Sequence, residues 1–181
     1  MNRTEAIKLM KEHIHTKNLQ KHSLAVAAIM EKLAQKLNKD EDKWFITGVL
    51  HDIDFDYTKD KPEKHGVMAM DILENTEIED DMKYAIKAHS GNAPLKTALD
   101  KALWAADPLS GLIVATALMM PEKKISVIKL KSLKKKFKTK RFAAGANREQ
   151  IADCQKLDIE LSEFLSLGLQ AMSNYEKELG F

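Results

Sequence analysis

Cysteine is nearly absent. Cys154 stands alone, so no internal disulfide can form, no disulfide framework supports the fold, and a reducing compartment is expected. Glycine and proline are also scarce, at 7 and 4 residues, which argues against a β-sandwich with a turn every ten residues. No segment alternates polar and apolar residues for long enough to read as a strand. The N-terminal stretch MNRTEAIKLMKEH lacks an uninterrupted apolar run and does not resemble a secretory signal. The most apolar stretch, Ala102 to Met120, contains Asp107 and Pro108, and a carboxylate near a bilayer centre is costly. These absences together predict a cytoplasmic protein without a membrane span.

What is present fits one folded domain. The chain has 181 residues, 44% hydrophobic and 31% charged, enough to bury a sizeable core. Net charge is +2 but uneven: Glu122 to Arg141 holds ten Lys/Arg against one acid, +9, leaving 2 − 9 = −7 for the rest. A basic block of this kind usually forms a solvated helix face. With no interleaved aromatics or binding motif, it predicts no nucleic-acid partner.

Periods of 3.6 residues recur throughout. They predict helices over Thr4–Ile14 and Leu19–Leu37, a helix capped by Asp40 and running through Leu50, and one from Pro62 to about Glu74. Another spans Ile78–His89, and a long one spans Leu95–Met120, which Pro108 should kink or split. A last amphipathic helix puts Leu157, Leu161, Phe164, Leu165, Met172, Tyr175 and Leu179 on one side. The fold class expected is all-α, a single helical bundle over residues 1–181. Within it, 1–18 form an N-terminal helix, 19–120 a metal-bearing core, and 121–181 the basic segment and C-terminal helix.

His22, His51, Asp52, His65, His89 and Asp107 stand out because each lies on or at the end of a predicted helix. Imidazole nitrogen with carboxylate oxygen suits Fe, Mn, Co, Ni or Zn, where Mg and Ca prefer oxygen alone. His51 and Asp52 adjoin, and at a helix end both can turn toward one centre. Asp107 sits among Ala105, Ala106, Leu109 and Gly111, where an unpaired carboxylate would be expensive without a cation or a proton. Taken singly, each of these residues could equally be an ordinary core histidine or a capping acid.

The order His22, His51-Asp52, Asp107 is similar to the H…HD…D pattern of the HD-domain metal-dependent phosphohydrolases. HSLAVAAIMEKLA, VLHDIDFDY, HGVMAMDIL, AIKAHSG and ALWAADPLSGLIVATALMMPEKKI resemble successive blocks of small bacterial and archaeal members, as does SLKKKFKTKRFAAGANREQI. The resemblance extends from His22 to the C-terminus. It implies a helical bundle around one or two divalent transition-metal ions. His22, His51, Asp52 and Asp107 would hold the first ion, His65 and His89 would complete a second site, and Asp52 would bridge.

The resemblance further implies hydrolysis of a phosphate ester or anhydride of a small phosphorylated substrate, a nucleotide foremost. Asp52, His65 and Asp54 are the candidates for activating water and moving protons. Asp54 stands where many relatives have glycine, and it could hold a water, act as general acid or face solvent. Lys59 and Lys64, near the HD loop in sequence, are the candidates for binding phosphate. The segment after His89, Ser90-Gly91-Asn92-Ala93-Pro94, departs from the signature of the cyclic-dinucleotide branch. Two alternatives stay open: a di-iron oxygenase on the same fold, and a non-catalytic module that binds nucleotide or nucleic acid.

Overall fold

The computed structural model describes all 181 residues, Met1–Phe181. The protein is entirely helical in its regular structure. In chain order the helices are α1 Arg3–His13, α2 Lys17–Leu37, α3 Glu41–Leu50, α4 Phe55–Thr58, α5 Met68–Leu73, α6 Asp80–His89, α7 Ala98–Leu118, α8 Leu130–Lys138, α9 Arg148–Ala152, α10 Leu161–Asn174 and α11 Glu176–Leu179. Two 3₁₀ turns complete the list, Pro62–Lys64 between α4 and α5 and Asp153–Leu157 between α9 and α10.

Two 21-residue helices, α2 and α7, form the spine. The inner face of α2 alternates small and large apolar side chains, Ala25, Val26, Ala28, Ile29 and Leu33 among them, all buried. Each large one removed from water contributes about 1.5–3 kcal/mol. The alanines let neighbouring helices come close. At the crossing of α2 and α3, a Cβ on Gly48 would lie 2.6 Å from the Cα of Ala27, so only glycine permits this approach. Asp40 caps α3 by accepting a hydrogen bond from the Lys43 amide, as its position predicts. Thr97 and Asp100 form a capping box that starts α7.

Three expectations are corrected. No single helix runs from Pro62 to Glu74: His65 is extended and Gly66 takes φ +74°, so the 3₁₀ turn and α5 are separate pieces. Pro108 does not split α7; Ala105, Ala106, Leu109, Leu112 and Ile113 around it are all buried, and their packing outweighs the roughly 3 kcal/mol a helix-interior proline costs. The last predicted helix breaks at Asp158, which is left-handed at φ +58°.

In the basic segment, α8 buries Leu133 and packs Leu130 and Phe137 against the core, with its lysines largely outward. The loop that follows is fastened by Arg148. Its guanidinium donates to the carbonyl oxygens of Lys136, Phe137, Phe142, Ala143 and Ala146. No helix is long and apolar enough to cross a membrane.

Candidate metal centre

The six sequence-predicted ligands come together. His22 projects from the second turn of α2, His51 from the end of α3, His89 from the end of α6 and Asp107 from the middle of α7. The α2–α3 contact at Gly48 matters here, because it brings His51 within reach of His22: the two Nε2 atoms are 3.2 Å apart. His22, His51 and Asp107 form one group, and His51, Asp52 and His89 another; within each, the donor atoms lie within 4.8 Å of one another.

Asp52 is the hinge of the arrangement. Its Oδ2 is 3.5 Å from His22 Nε2 and 3.4 Å from His51 Nε2. Its Oδ1 is 3.3 Å from His65 Nε2 and 3.4 Å from His89 Nε2. The two oxygens of one carboxylate thus face two different sets of imidazoles. On the first side, Asp107 Oδ1 lies 3.0 Å from His22 Nε2.

The imidazoles are held by their other nitrogens. His51 Nδ1 is 2.8 Å from the Gly48 carbonyl oxygen, and His89 Nδ1 contacts the Ile86 carbonyl oxygen. Each carbonyl accepts from Nδ1 and so directs Nε2 inward as a lone-pair donor, the arrangement metal-ligating histidines adopt. His22 Nδ1 meets Ser110 Oγ at 3.0 Å. His65 Nδ1 donates to Asp54 Oδ1 at 2.8 Å, while Asp54 Oδ2 accepts from the amides of Gly66 and Ala69 at 2.7 and 3.0 Å.

Asp54 is therefore fully buried behind His65, with both oxygens occupied, and of the options open in the sequence it does not face solvent. Gly66 is required where it stands. Its positive φ favours glycine, and a Cβ there would collide with Ser90.

Electrostatics agree with a cation site. Asp52 is buried, which opposes its charge, yet His51 beside it and the imidazoles of His51 and His65 facing its oxygens hold its carboxyl well below the usual range. Burial works against a charged His65, but Asp52 and Asp54 override it and raise the imidazole to about 10. His89 Nε2 is buried without a hydrogen-bond partner, an orphan that a metal ion would satisfy. Nitrogen and carboxylate donors converging on shared points, with one atom left unsatisfied, fit divalent transition metals.

Lys59 and Lys64 are not brought to this centre; both are exposed, and neither lines a cavity beside it. The lysines that do reach its surroundings are Lys21 and Lys123. Lys21 directly precedes His22 on α2, and both border one cavity. Ser110 could have been found too, since it follows Asp107 by three residues in ADPLSG. The open edge of the centre is formed by His22 and Asp107, whose side chains are 26% and 31% exposed. A cavity of about 310 Å³ lies against it, closed on the far side by Ala143, Gly145 and Ala146 of the Arg148-fastened loop.

The HD domain family matches residues 19–139. The chain belongs to the HD domain family. HD domains bind divalent metals, and at family level this is a hydrolase of the metal-dependent phosphohydrolase group. The chain is similar to a ribonuclease Y of Desulfotalea psychrophila, 30% identical over 159 residues, which are 85% of this chain and 30% of that protein. It is also similar to the ribonuclease Y proteins of Oleidesulfovibrio alaskensis and Nitratidesulfovibrio vulgaris, each 34% identical over 96 residues, covering 53% of this chain and 18% of those. This HD domain thus spans less than a third of the length of these curated relatives. No solved structure matches it.

Proposed function

We propose that this HD protein hydrolyses a phosphate ester or anhydride of a nucleotide or another small phosphorylated metabolite, using water activated at a two-metal centre. One observation carries the reading: the opposed faces of Asp52, with Oδ2 toward His22 and His51 and Oδ1 toward His65 and His89. His22, His51 and Asp107 would hold one ion, His65 and His89 the other, and Asp52 both. Fe, Mn, Co, Ni and Zn all suit these donors. Such ions, when bound, supply Lewis acidity and a supply of hydroxide at neutral pH.

The chain's own residues do the rest. Asp54 keeps the His65 ring in register, and the Gly48 and Ile86 carbonyls do the same for His51 and His89. The walled side of the centre excludes water, so substrate enters at His22 and Asp107. The test is a screen of phosphate esters and nucleotides with Mn, Fe, Co, Ni and Mg supplied in turn. Turnover by the wild type and none by His51→Ala or Asp52→Ala, with helical circular dichroism retained, is expected. Oxygen-dependent turnover with a mixed-valence iron signal would replace the hydrolase with an oxygenase, and nucleotide binding without turnover under every metal would replace it with a binding module.

A second reading has its own support. The relatives are named ribonucleases. All ion pairs of the protein lie outside the ten basic residues between Lys123 and Arg141, and that segment leads into the loop beside the centre. On this reading the phosphate bond cleaved is an RNA linkage, and the sequence-based exclusion of nucleic acid gives way. A short oligoribonucleotide in the same screen decides, and neutralising Lys134, Lys135 and Lys136 should weaken its salt-sensitive binding.

A further inference from the structure

A second cavity, of about 400 Å³, lies on the other side of His22 from the first. Two facing helix stripes build it. On α2, Asn18, Lys21 and His22 follow each other at helical spacing; on α7, Gly111, Val114 and Leu118 continue the face that begins with Asp107. Lys123 and Phe181 close the remaining sides. The Lys21 amine lies directly over Gly180, where any Cβ would strike it, so its side chain is laid along the wall. Neither Lys21 nor Lys123 is in an ion pair: the carboxylates paired in this protein are Glu12, Glu31, Asp42, Asp52, Asp54, Glu77, Glu79, Asp81, Asp107, Asp153 and Glu163, bonded to other partners.

The two cavities share His22 and Gly111. Gly111 sits inside α7, where glycine is about 1 kcal/mol worse than alanine. The fold gives no reason for it. Its φ is not positive, and a Cβ there would meet nothing within 4 Å. Gly168 differs: a Cβ would come within 2.7 Å of Leu109, so packing demands that glycine. Gly111 thus leaves open space on α7 where the two cavities adjoin, one turn from Asp107.

We propose that the second cavity binds a nucleotide unit, its anionic group on Lys21 and Lys123 and its ring system against Val114, Leu118 and Phe181, and that Gly111 lacks a side chain to keep this subsite joined to the metal centre. The inference rests on the phosphohydrolase reading only for what happens to the nucleotide; the binding itself stands on the cavity. An amphipathic anion is what the walls select: phosphate alone leaves the apolar side uncovered, and a neutral nucleoside leaves two ammonium groups unused. The nucleotide can arrive free or as one unit of an RNA strand.

Calorimetric titration of the 181-residue protein with AMP, adenosine, inorganic phosphate and a five-residue oligoadenylate tests this. AMP should bind more tightly than adenosine or phosphate. Lys21→Gln and Lys123→Gln should each weaken AMP about tenfold, the loss of one charge-assisted contact. Gly111→Leu should abolish its binding. Gly111→Ala should raise the melting temperature while weakening AMP, opposite signs that a merely structural glycine would not produce, and it covers the case of a leucine variant that fails to fold. An oligoadenylate that binds more tightly than AMP, and loses binding with the same substitutions, identifies RNA as the source; one that binds no better identifies the free nucleotide.

AMP affinity unchanged by Gly111→Ala and the lysine variants, or no greater than that of phosphate, overturns the subsite. The two proposals fail separately. Turnover of bis(p-nitrophenyl) phosphate with AMP binding indifferent to Gly111 sinks the subsite alone. AMP binding sensitive to Gly111, with no phosphoester turned over under any metal, sinks the hydrolase reading alone.

Discussion

The two sides of the metal centre are built differently. On the His65–His89 side every ring is pinned from behind: Asp54 on His65, the Ile86 carbonyl on His89, and two backbone amides on Asp54 itself. On the His22–Asp107 side the ligands are partly exposed, Ser110 Oγ meets His22, and cavities begin where the donors end. A side pinned from behind holds geometry; a half-open side is suited to admitting substrate. Rigidity is needed where no ligand exchange occurs, and access where it does.

The sharpest break comes from removing what both sides share. Asp52→Asn should lower metal content from about one to two ions per chain to near zero, and activity to background, as elemental analysis and assay would read. Retention of both ions would mean that Asp52 does not join the two sides.

Next, the supports can be compared. Asp54→Asn should weaken metal binding about 10–100-fold, while Ser110→Ala, on the open side, should cost less. Competition against a fluorescent chelator measures both, and equal losses would erase the distinction between the sides. Gly48→Ala bears on the frame beneath them. Its methyl meets the α2 backbone, so overpacking should cost roughly 1–3 kcal/mol in denaturant unfolding. The His22–His51 approach should loosen with it.

The smallest effect concerns Asp56. Burial opposes its charge slightly, but the Thr16 hydroxyl and the Thr16 and His15 amides hold its carboxyl below the ordinary range, tying the HD loop to the start of α2. A depressed folded pKa means stability that is present above the unfolded value of 3.8 and lost as pH falls through the folded one. Asp56→Ala should therefore destabilise the protein at pH 7 by about 1 kcal/mol or less, read from thermal unfolding, and the difference from wild type should vanish under strong acid. A difference that persists at pH 2 would assign the loss to packing.

How far these features could be read beforehand depended on how local their causes are. Asp40 capping α3 is written in four adjacent residues, and α2 in an apolar period repeated over about six turns of helix. The ligand set was legible because histidine and aspartate on apolar helical faces are costly without a partner, and because their order resembles a known family. The break at His65-Gly66 was not, since it comes from Ser90, far along the chain and pressed against the glycine. Lys59 and Lys64 lie near the HD pair in sequence, whereas Lys21 borders the cavity beside it from α2 and Lys123 from the loop after α7. Pro108 misled for a related reason: burial on both sides of α7 outweighs a local preference.

The loop bordering the first cavity is tethered by Arg148 through the carbonyl groups of Phe142, Ala143 and Ala146, while the same guanidinium holds two carbonyls at the end of α8. That tether grips main chain alone, while Phe142, Ala143 and Ala146 also pack against the core. Gly145, exposed on the cavity rim with open space where a Cβ would stand, can take a side chain that reshapes what the pocket admits while the chain keeps its path, which makes it the natural place to retune selectivity without touching the ions' ligands.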